Sequence, residues 1–237
     1  MSLPRVSVIT VVMNDAVGLS RTISSVAAQD YGNIQYVIVD GGSTDGSLDL
    51  IKSQNHLVDS WISEPDEGIY HAMNKGLALA DGEWVLFMNA GDEFSSTGAL
   101  SLAAALINGG VDVVYSDWIY RRSGTLAKAN LPKMNVRHQS VMYRTRLHET
   151  FGTYVVGQRV SISDFIFFLA ISDRRWAYCS HPLSICDEEG VSANPSHFYQ
   201  RIATEFVFGR RGRFSASAII LLYPIYRFLM RQVLRKR

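Results

Sequence analysis

The chain has 237 residues, of which 47% are hydrophobic, and a formal net charge of +1. That length fits one large α/β domain, with or without an appendage, and that composition is ample for a core. Two cysteines, Cys179 and Cys186, exclude both a disulfide framework and a zinc-type cysteine cluster, and reduced buried thiols suit a cytosolic compartment.

The charge is unevenly placed. Residues 201–237 hold nine Lys and Arg against a single acid, Glu205, while the rest of the chain holds 14 basic and 21 acidic residues. An acidic body carrying a basic, apolar tail suits attachment to an anionic surface. The amino end presents Arg5 and then a strand, without the apolar run and small-residue cleavage site of a secretory leader, so a cytoplasmic protein is expected.

In chain order, 5–13 (RVSVITVVM) predicts a first strand, and Asn14 or Asp15 caps a helix with Leu19, Ile23, Val26 and Ala27 on one face. A second strand at 35–39 runs into the polar turn Asp40-Gly41-Gly42-Ser43-Thr44-Asp45-Gly46. A helix at 47–53 and a short strand near 61–62 follow, and this alternation implies right-handed βαβ units on a parallel sheet. A dinucleotide fingerprint requires its glycines after the first strand, where this chain has Met13-Asn14-Asp15, so a dehydrogenase is not expected. Asp40 instead stands alone at a strand end, able to accept hydrogen bonds from a base or ribose.

The stretch 63–92 carries the densest chemistry. Ser63-Glu64-Pro65-Asp66 is turn chemistry, with Asp66 suited to cap a helix over 68–79. Ile69, Met73, Gly76 or Leu77, and Ala80 share a face that packs on a sheet, leaving His71, Asn74 and Lys75 for solvent or ligand. Asp81-Gly82 breaks the helix, and 84–88 (WVLFM) reads as a strand buried on both faces. Asn89-Ala90-Gly91-Asp92 follows at its carboxyl end, where α/β sheets bind ligands and small residues allow close backbone approach. Asp92 reads either as an anionic ligand or as a plain cap on a helix starting near Ser95.

Further on, 100–107 predicts a helix, 111–115 a strand, and 116–135 a β-rich excursion with Arg121 and Arg122 near a hairpin tip. A strand at 140–143 is preceded by His138-Gln139, which is either structural or a contact to acceptor or diphosphate. Residues 163–171 (SDFIFFLAI) form a short apolar helix with Asp164 in its first turn, where an acid also favours the helix dipole. Strands at 176–185 and a helix at 195–208 follow. Between Arg213 and Arg227 lie thirteen uncharged residues, short of the roughly 20 of a spanning helix and interrupted by Pro224. With Arg227 and Arg231 one turn apart, 210–237 reads as an interfacial membrane-contact segment after a domain at 1–209, with a docked helix or an oligomer contact as the alternative. Its aromatics lie among aliphatics, so no nucleic-acid partner is expected.

The motifs SVITVVMN, YVIVDGGSTDGS, SEPDEGIYHAMNKG and FMNAGD together resemble the family 2 glycosyltransferases of the GT-A fold, and most nearly bacterial enzymes that build colanic-acid-type exopolysaccharides. His138-Gln139-Ser140, Ser163-Asp164-Phe165 and Gly190-Val191-Ser192 extend the likeness to roughly 5–195. The resemblance implies a GT-A-like, mostly parallel sheet flanked by helices, and a nucleotide-sugar donor, with a UDP-sugar expected. It implies transfer with inversion to a saccharide acceptor that the tail suggests is lipid-linked, on the cytoplasmic face of a membrane. It places Thr10, Val12 and Asn14 at the base, Asp40 at the nucleoside, and Asp66, Asn74 and Lys75 at the donor. Asn89, Ala90, Gly91 and Asp92 take the place of the family's Asp-x-Asp motif, with Asp92 holding Mg²⁺ or Mn²⁺, and Asp164 matches the catalytic base. His71 stands where an Asp is common and Glu189 where a Gly is common. A nucleotidyltransferase of similar sheet, or a catalytically idle partner of another transferase, are the other classes the sequence leaves open.

Overall fold

The structure is a computed structural model of the chain, described for residues 3–107, 109–157, 159–188, 195–217 and 219–221. The amino-terminal half alternates as the sequence predicts. Strand β1 (Val6–Val12) leads to helix α1 (Ala16–Ala27), β2 (Ile34–Asp40), α2 (Ser47–Ser53), β3 (Ser60–Ser63), α3 (Ile69–Leu79) and β4 (Trp84–Phe87). Asp15, not Asn14, caps α1, its carboxylate accepting from Gly18 N at 2.8 Å. Asn14 instead takes a left-handed turn at φ 53°, a conformation Asn tolerates better than most residues.

The second half is mixed: β5 (Glu93–Phe94), α4 (Ala99–Ala104), β6 (Val113–Tyr120), β7 (Leu126–Ala127), β8 (Val141–Arg144), α5 (Leu147–Phe151), α6 (Ser163–Ala170), β9 (Trp176–Cys186) and α7 (Pro195–Val207). Among the described residues, the nine strands form one sheet in the order β3-β2-β1-β4-β8-β6-β9-β5, with β7 paired to β6. The β3-β2-β1-β4 half is parallel, whereas β8 runs antiparallel to both β4 and β6. Because β8 is reversed, β6 points the same way as β4, and their carboxyl ends share a rim with the amino end of β8.

Side-chain alternation builds a core on each face. From β1, Val6, Val8 and Val12 pack toward α1, α2 and α4, while Ile9 and Val11 pack toward α3 and α6. Trp84, Val85, Leu86 and Phe87 of β4 are all fully buried, as a central strand covered on both faces requires. The α3 face carries Tyr70, Ala72, Met73 and Gly76 inward, and an added Cβ at Gly76 would fall 2.4 Å from Ile9 Cγ2, so only glycine allows this approach. The excursion after β6 is a hairpin tipped at Arg121-Arg122-Ser123-Gly124, as expected. It is fastened at its base by buried Asp117, which accepts from Lys128 Nζ (2.7 Å), Tyr178 Oη (2.7 Å) and Ala129 N (2.9 Å).

Among the described residues no helix is long and apolar enough to cross a membrane. The expected interfacial segment falls only in part within them. Residues 222–237, with Pro224, Arg227 and Arg231, lie outside, as do Glu189 and Gly190-Val191-Ser192.

Candidate active site

A cleft of about 660 Å³ opens at the shared rim. Its walls come from the ends of β1, β4 and β6, the start of α3, the approach to β8 and the start of α6. Of the residues singled out in the sequence, Val12, Asp66, Asn89, Ala90, Asp92, His138, Gln139 and Asp164 line it.

At its centre four side chains form one hydrogen-bonded path. Asp164 Oδ1 accepts from Tyr70 Oη at 2.7 Å, and its Oδ2 lies 3.0 Å from His138 Nδ1. The far nitrogen of that ring, Nε2, accepts from Asn89 Nδ2 at 2.9 Å. This fixes the proton on Nδ1, pointing at the carboxylate. Burial acts to raise the Asp164 pKa, but the bond and charge of His138 and the Tyr70 hydroxyl outweigh it, and the carboxyl is held below its ordinary value. Asp164 is therefore ionised at neutral pH and faces the cleft. It is not the cap of α6: the capping position is Ile162, which makes no side-chain bond, and Asp164 lies in the first turn.

The neighbouring residue serves the other acid, Gln139 Nε2 donating to Asp92 Oδ2 at 2.8 Å. Asp92 is only 8% exposed, and burial, opposed chiefly by that Gln139 bond, pushes its pKa up to about 6. The plain-cap alternative fails here, because α4 begins at Ala99 and Gly98 precedes it without a side-chain cap. The Asn89–Asp92 turn is held from below: Gly91 adopts φ 94°, its N–H donates to Thr22 Oγ1 at 3.0 Å, and Thr22 donates to Asp92 O at 2.7 Å. Arg121 reaches back from the hairpin tip to Gly91 O and Glu93, a contact that sequence distance concealed.

Asp92 stands among oxygens of the kind a divalent ion takes. Asn89 Oδ1, at the end of the path, and Gln139 Oε1, beside it, are buried oxygens without a hydrogen-bond partner. Oxygen ligands and a desolvated carboxylate are what Mg²⁺ and Mn²⁺ accept. The residues fit the ion, although among the described residues no group of three or more His, Cys, Asp or Glu gathers to hold one.

Other expectations resolve differently. Asp66 does not cap α3, where Gly68 is the capping position; its Oδ1 accepts from Gly68 N at 2.8 Å while its Oδ2 presses on Gly41. Asn74 does not line the cleft; it is half-buried, and its amide bonds Tyr154 N (2.9 Å) and O (2.8 Å). Lys75 Nζ is held by Pro65 O and Glu64, each at 2.9 Å. Thr10 is fully buried, donating to Met88 O at 2.8 Å and so tying β1 to the end of β4. Asp40 is fully buried too, accepting from Ser63 Oγ at 2.6 Å and from Ser43 N. Asn14 braces the same turn through Thr44 N and Ser43 Oγ, each at 2.8 Å. Asp40 and Asn14 together brace the turn after β2.

The family description Glycosyl transferase family 2 matches residues 7–176, which span every element from β1 to the start of β9. The chain belongs to glycosyl transferase family 2. A PGL/p-HBAD biosynthesis glycosyltransferase of Mycobacterium bovis is 36% identical over 178 residues, 70% of this chain and 69% of that one. Among solved structures, the 1–349 portion of Staphylococcus aureus TarS in complex with UDP-GlcNAc aligns with a TM-score of 0.71 at 20% identity. The alignment covers 86% of this chain, which spans 66% of that portion. The mannosyltransferase PcManGT of Pyrobaculum calidifontis, in complex with GDP-Man and Mn²⁺, aligns with a TM-score of 0.70 at 20% identity, over 92% of this chain and 70% of that one. Both structures share the GT-A-like fold. The Tyr70 contact escaped sequence reading, since a tyrosine on an apolar helix face announces only its ring.

Proposed function

We propose that this family 2 glycosyltransferase moves a sugar from a nucleotide-sugar donor to an acceptor hydroxyl by direct displacement with inversion. The observation that carries the reading is the path Tyr70–Asp164–His138–Asn89, with Gln139–Asp92 beside it, which sets an ionised carboxylate next to a metal-type oxygen set in one cleft. Asp164 takes the acceptor proton as the hydroxyl oxygen bonds the anomeric carbon, and the nucleoside diphosphate leaves with the electron pair of the broken bond. His138 holds Asp164 in place, and Asn89 holds His138 in the tautomer that does so. Asp92, with the amide oxygens of Asn89 and Gln139, would hold Mg²⁺ or Mn²⁺; bound there, the ion neutralises charge on the departing diphosphate. The nucleoside rests against Val12 and the turn of Asp40, Gly41 and Asp66.

The bound UDP-GlcNAc and GDP-Man of the two structural neighbours support a nucleotide-sugar donor. The finer expectation, a UDP-sugar used in colanic-acid-type exopolysaccharide synthesis, is part of this proposal, although the mycobacterial relative belongs to PGL/p-HBAD biosynthesis. A lipid-linked acceptor and a peripheral site on the cytoplasmic membrane face are supported by the surface at and after the end of α7. There Phe206, Val207, Phe208 and Phe214 are exposed among Arg210, Arg211 and Arg213. Incubation with UDP-sugars and GDP-mannose plus Mn²⁺ tests the reading. Release of UDP or GDP is expected; pyrophosphate release in a parallel incubation with UTP or GTP and a sugar 1-phosphate would make the protein a nucleotidyltransferase, and no release in either an idle partner.

A further inference from the structure

The cleft also holds a cation whose partners are rings and not acids. The Arg137 guanidinium carbon lies 5.8 Å from the Trp118 ring centre and 5.7 Å from that of Tyr120. Among the described residues it has no hydrogen bond and no ion pair, so its planar fork of N–H groups is free. The cleft's other arginine, Arg201, is taken up by Glu205 and by the carbonyls of Lys133 and Met134. Beside Arg137, the Trp118 Nε1–H is buried without a partner, although Trp118 is only 3% exposed and lines the cleft. A donor left unmet at that depth is costly unless a ligand meets it.

Placement in the sheet says which ligand. The turn of Asp40 lies beyond β2, on one side of β4, whereas Trp118 and Tyr120 end β6, two strands to the other side. His138 and Gln139, the residues after Arg137, reach Asp164 and Asp92 in between. Arg137 thus stands on the far side of the base from the nucleoside. An arginine fork pairs with two oxygens of a planar or tetrahedral anion. A carboxylate would have both oxygens taken by the fork, while a phosphate keeps others for the Trp118 N–H.

We propose that Arg137, backed by Trp118 and Tyr120, anchors an acceptor subsite selecting a phosphate-bearing acceptor, with the phosphate near the hydroxyl presented to Asp164. This rests on reading the cleft as a site of glycosyl transfer. The phosphate belongs either to a saccharide or to a lipid carrier, and the chemistry of capture is the same. The test is calorimetry on the full chain with Mn²⁺ and saturating UDP or GDP, titrated with glucose 1-phosphate, octyl phosphate, glucuronate and methyl glucoside. At least one phosphate is expected to bind, the tighter one identifying a saccharide or a lipid source. Arg137→Gln, which keeps a chain against the rings, is expected to weaken that binding by about tenfold or more and to leave UDP and GDP affinity unchanged. Trp118→Phe, which keeps a ring and removes the N–H, is expected to weaken it a few-fold. Preference for glucuronate, an unchanged phosphate affinity in Arg137→Gln, or an equal loss of UDP and GDP affinity overturns the proposal. Failure of both nucleotides to bind the natural chain counts instead against glycosyl transfer, and the phosphate titrations without nucleotide still judge Arg137.

Discussion

His138 Nδ1 lies 3.0 Å from Asp164 Oδ2, and its ring is turned that way by Asn89 on the opposite nitrogen. A base positioned by a second residue loses little more when the second is also removed. Asp164→Asn is expected to lower turnover by roughly 10²–10⁴-fold with donor affinity retained. His138→Ala should lower it by less, and the double variant should be no slower than Asp164→Asn alone. Steady-state kinetics with calorimetric donor affinities check this; additive losses would mean that His138 acts apart from Asp164.

If the proposed metal role of Asp92 holds, Asp92→Asn should remove the metal dependence of donor binding. With Mn²⁺ and UDP or GDP present, the natural chain should melt at a higher temperature than without, because binding to the folded state alone stabilises it. The variant should show no such rise. An equal rise in both proteins rejects the assignment of Asp92 to metal.

A pH effect on stability should come from His148. Its ring stacks on Phe167 at 4.2 Å, with Nε2 2.9 Å from Tyr143 Oη and Nδ1 2.9 Å from Gly152 O. Burial lowers its pKa from the usual 6.5 to about 4, against a small upward pull from Gly152. The folded state therefore favours the neutral ring. Its contribution is present in full above about pH 6.5 and is lost as pH falls toward 4, amounting to at most about 3 kcal/mol. Urea unfolding between pH 7 and 4 should show this decline, and His148→Phe should flatten it. An unchanged slope in the variant places the titration elsewhere.

A chain ending at Gly209 keeps α7 and should stay folded, with donor affinity unchanged. Each basic residue near an anionic leaflet contributes about 1 kcal/mol, and the exposed phenylalanines add burial. The shortened chain should therefore sediment less with anionic liposomes than the full chain, with the difference shrinking at high salt. Equal sedimentation rejects the membrane-contact reading, and unfolding of the shortened chain favours a docked helix.

The amino-terminal elements were legible because they repeat a simple rhythm: apolar runs such as Val6–Val12 end at polar turns, and α2 spans 47–53 as read from sequence. Periodicity also found the inward face of α3 at Met73 and Gly76. It did not say what covers the other face, so Asn74 looked free when the loop at Tyr154 claims it. Asp66 looked like a cap because capping chemistry is local, while the position was decided by Gly68. The insertion of β8 between β4 and β6 was out of reach for the same reason: it is set by pairings between residues distant in the chain, such as Leu86 with Met142 and Val114 with Met142. Arg137 had a signal in its adjacency to His138-Gln139, but the rings that display it lie on another strand.

The reversed strand β8 makes the chemistry hostage to a register. Its pairing sets Met142 opposite Leu86 on one side and opposite Val114 on the other. Sliding β8 by one residue would turn its side chains to the opposite faces. His138 would then leave Asp164, and Gln139 would leave Asp92, in a single movement. Changes at buried Val141 or Met142 that shift this register should thus cost activity. Variation among related chains at this strand would be read as changes of activity before it was read as changes of stability.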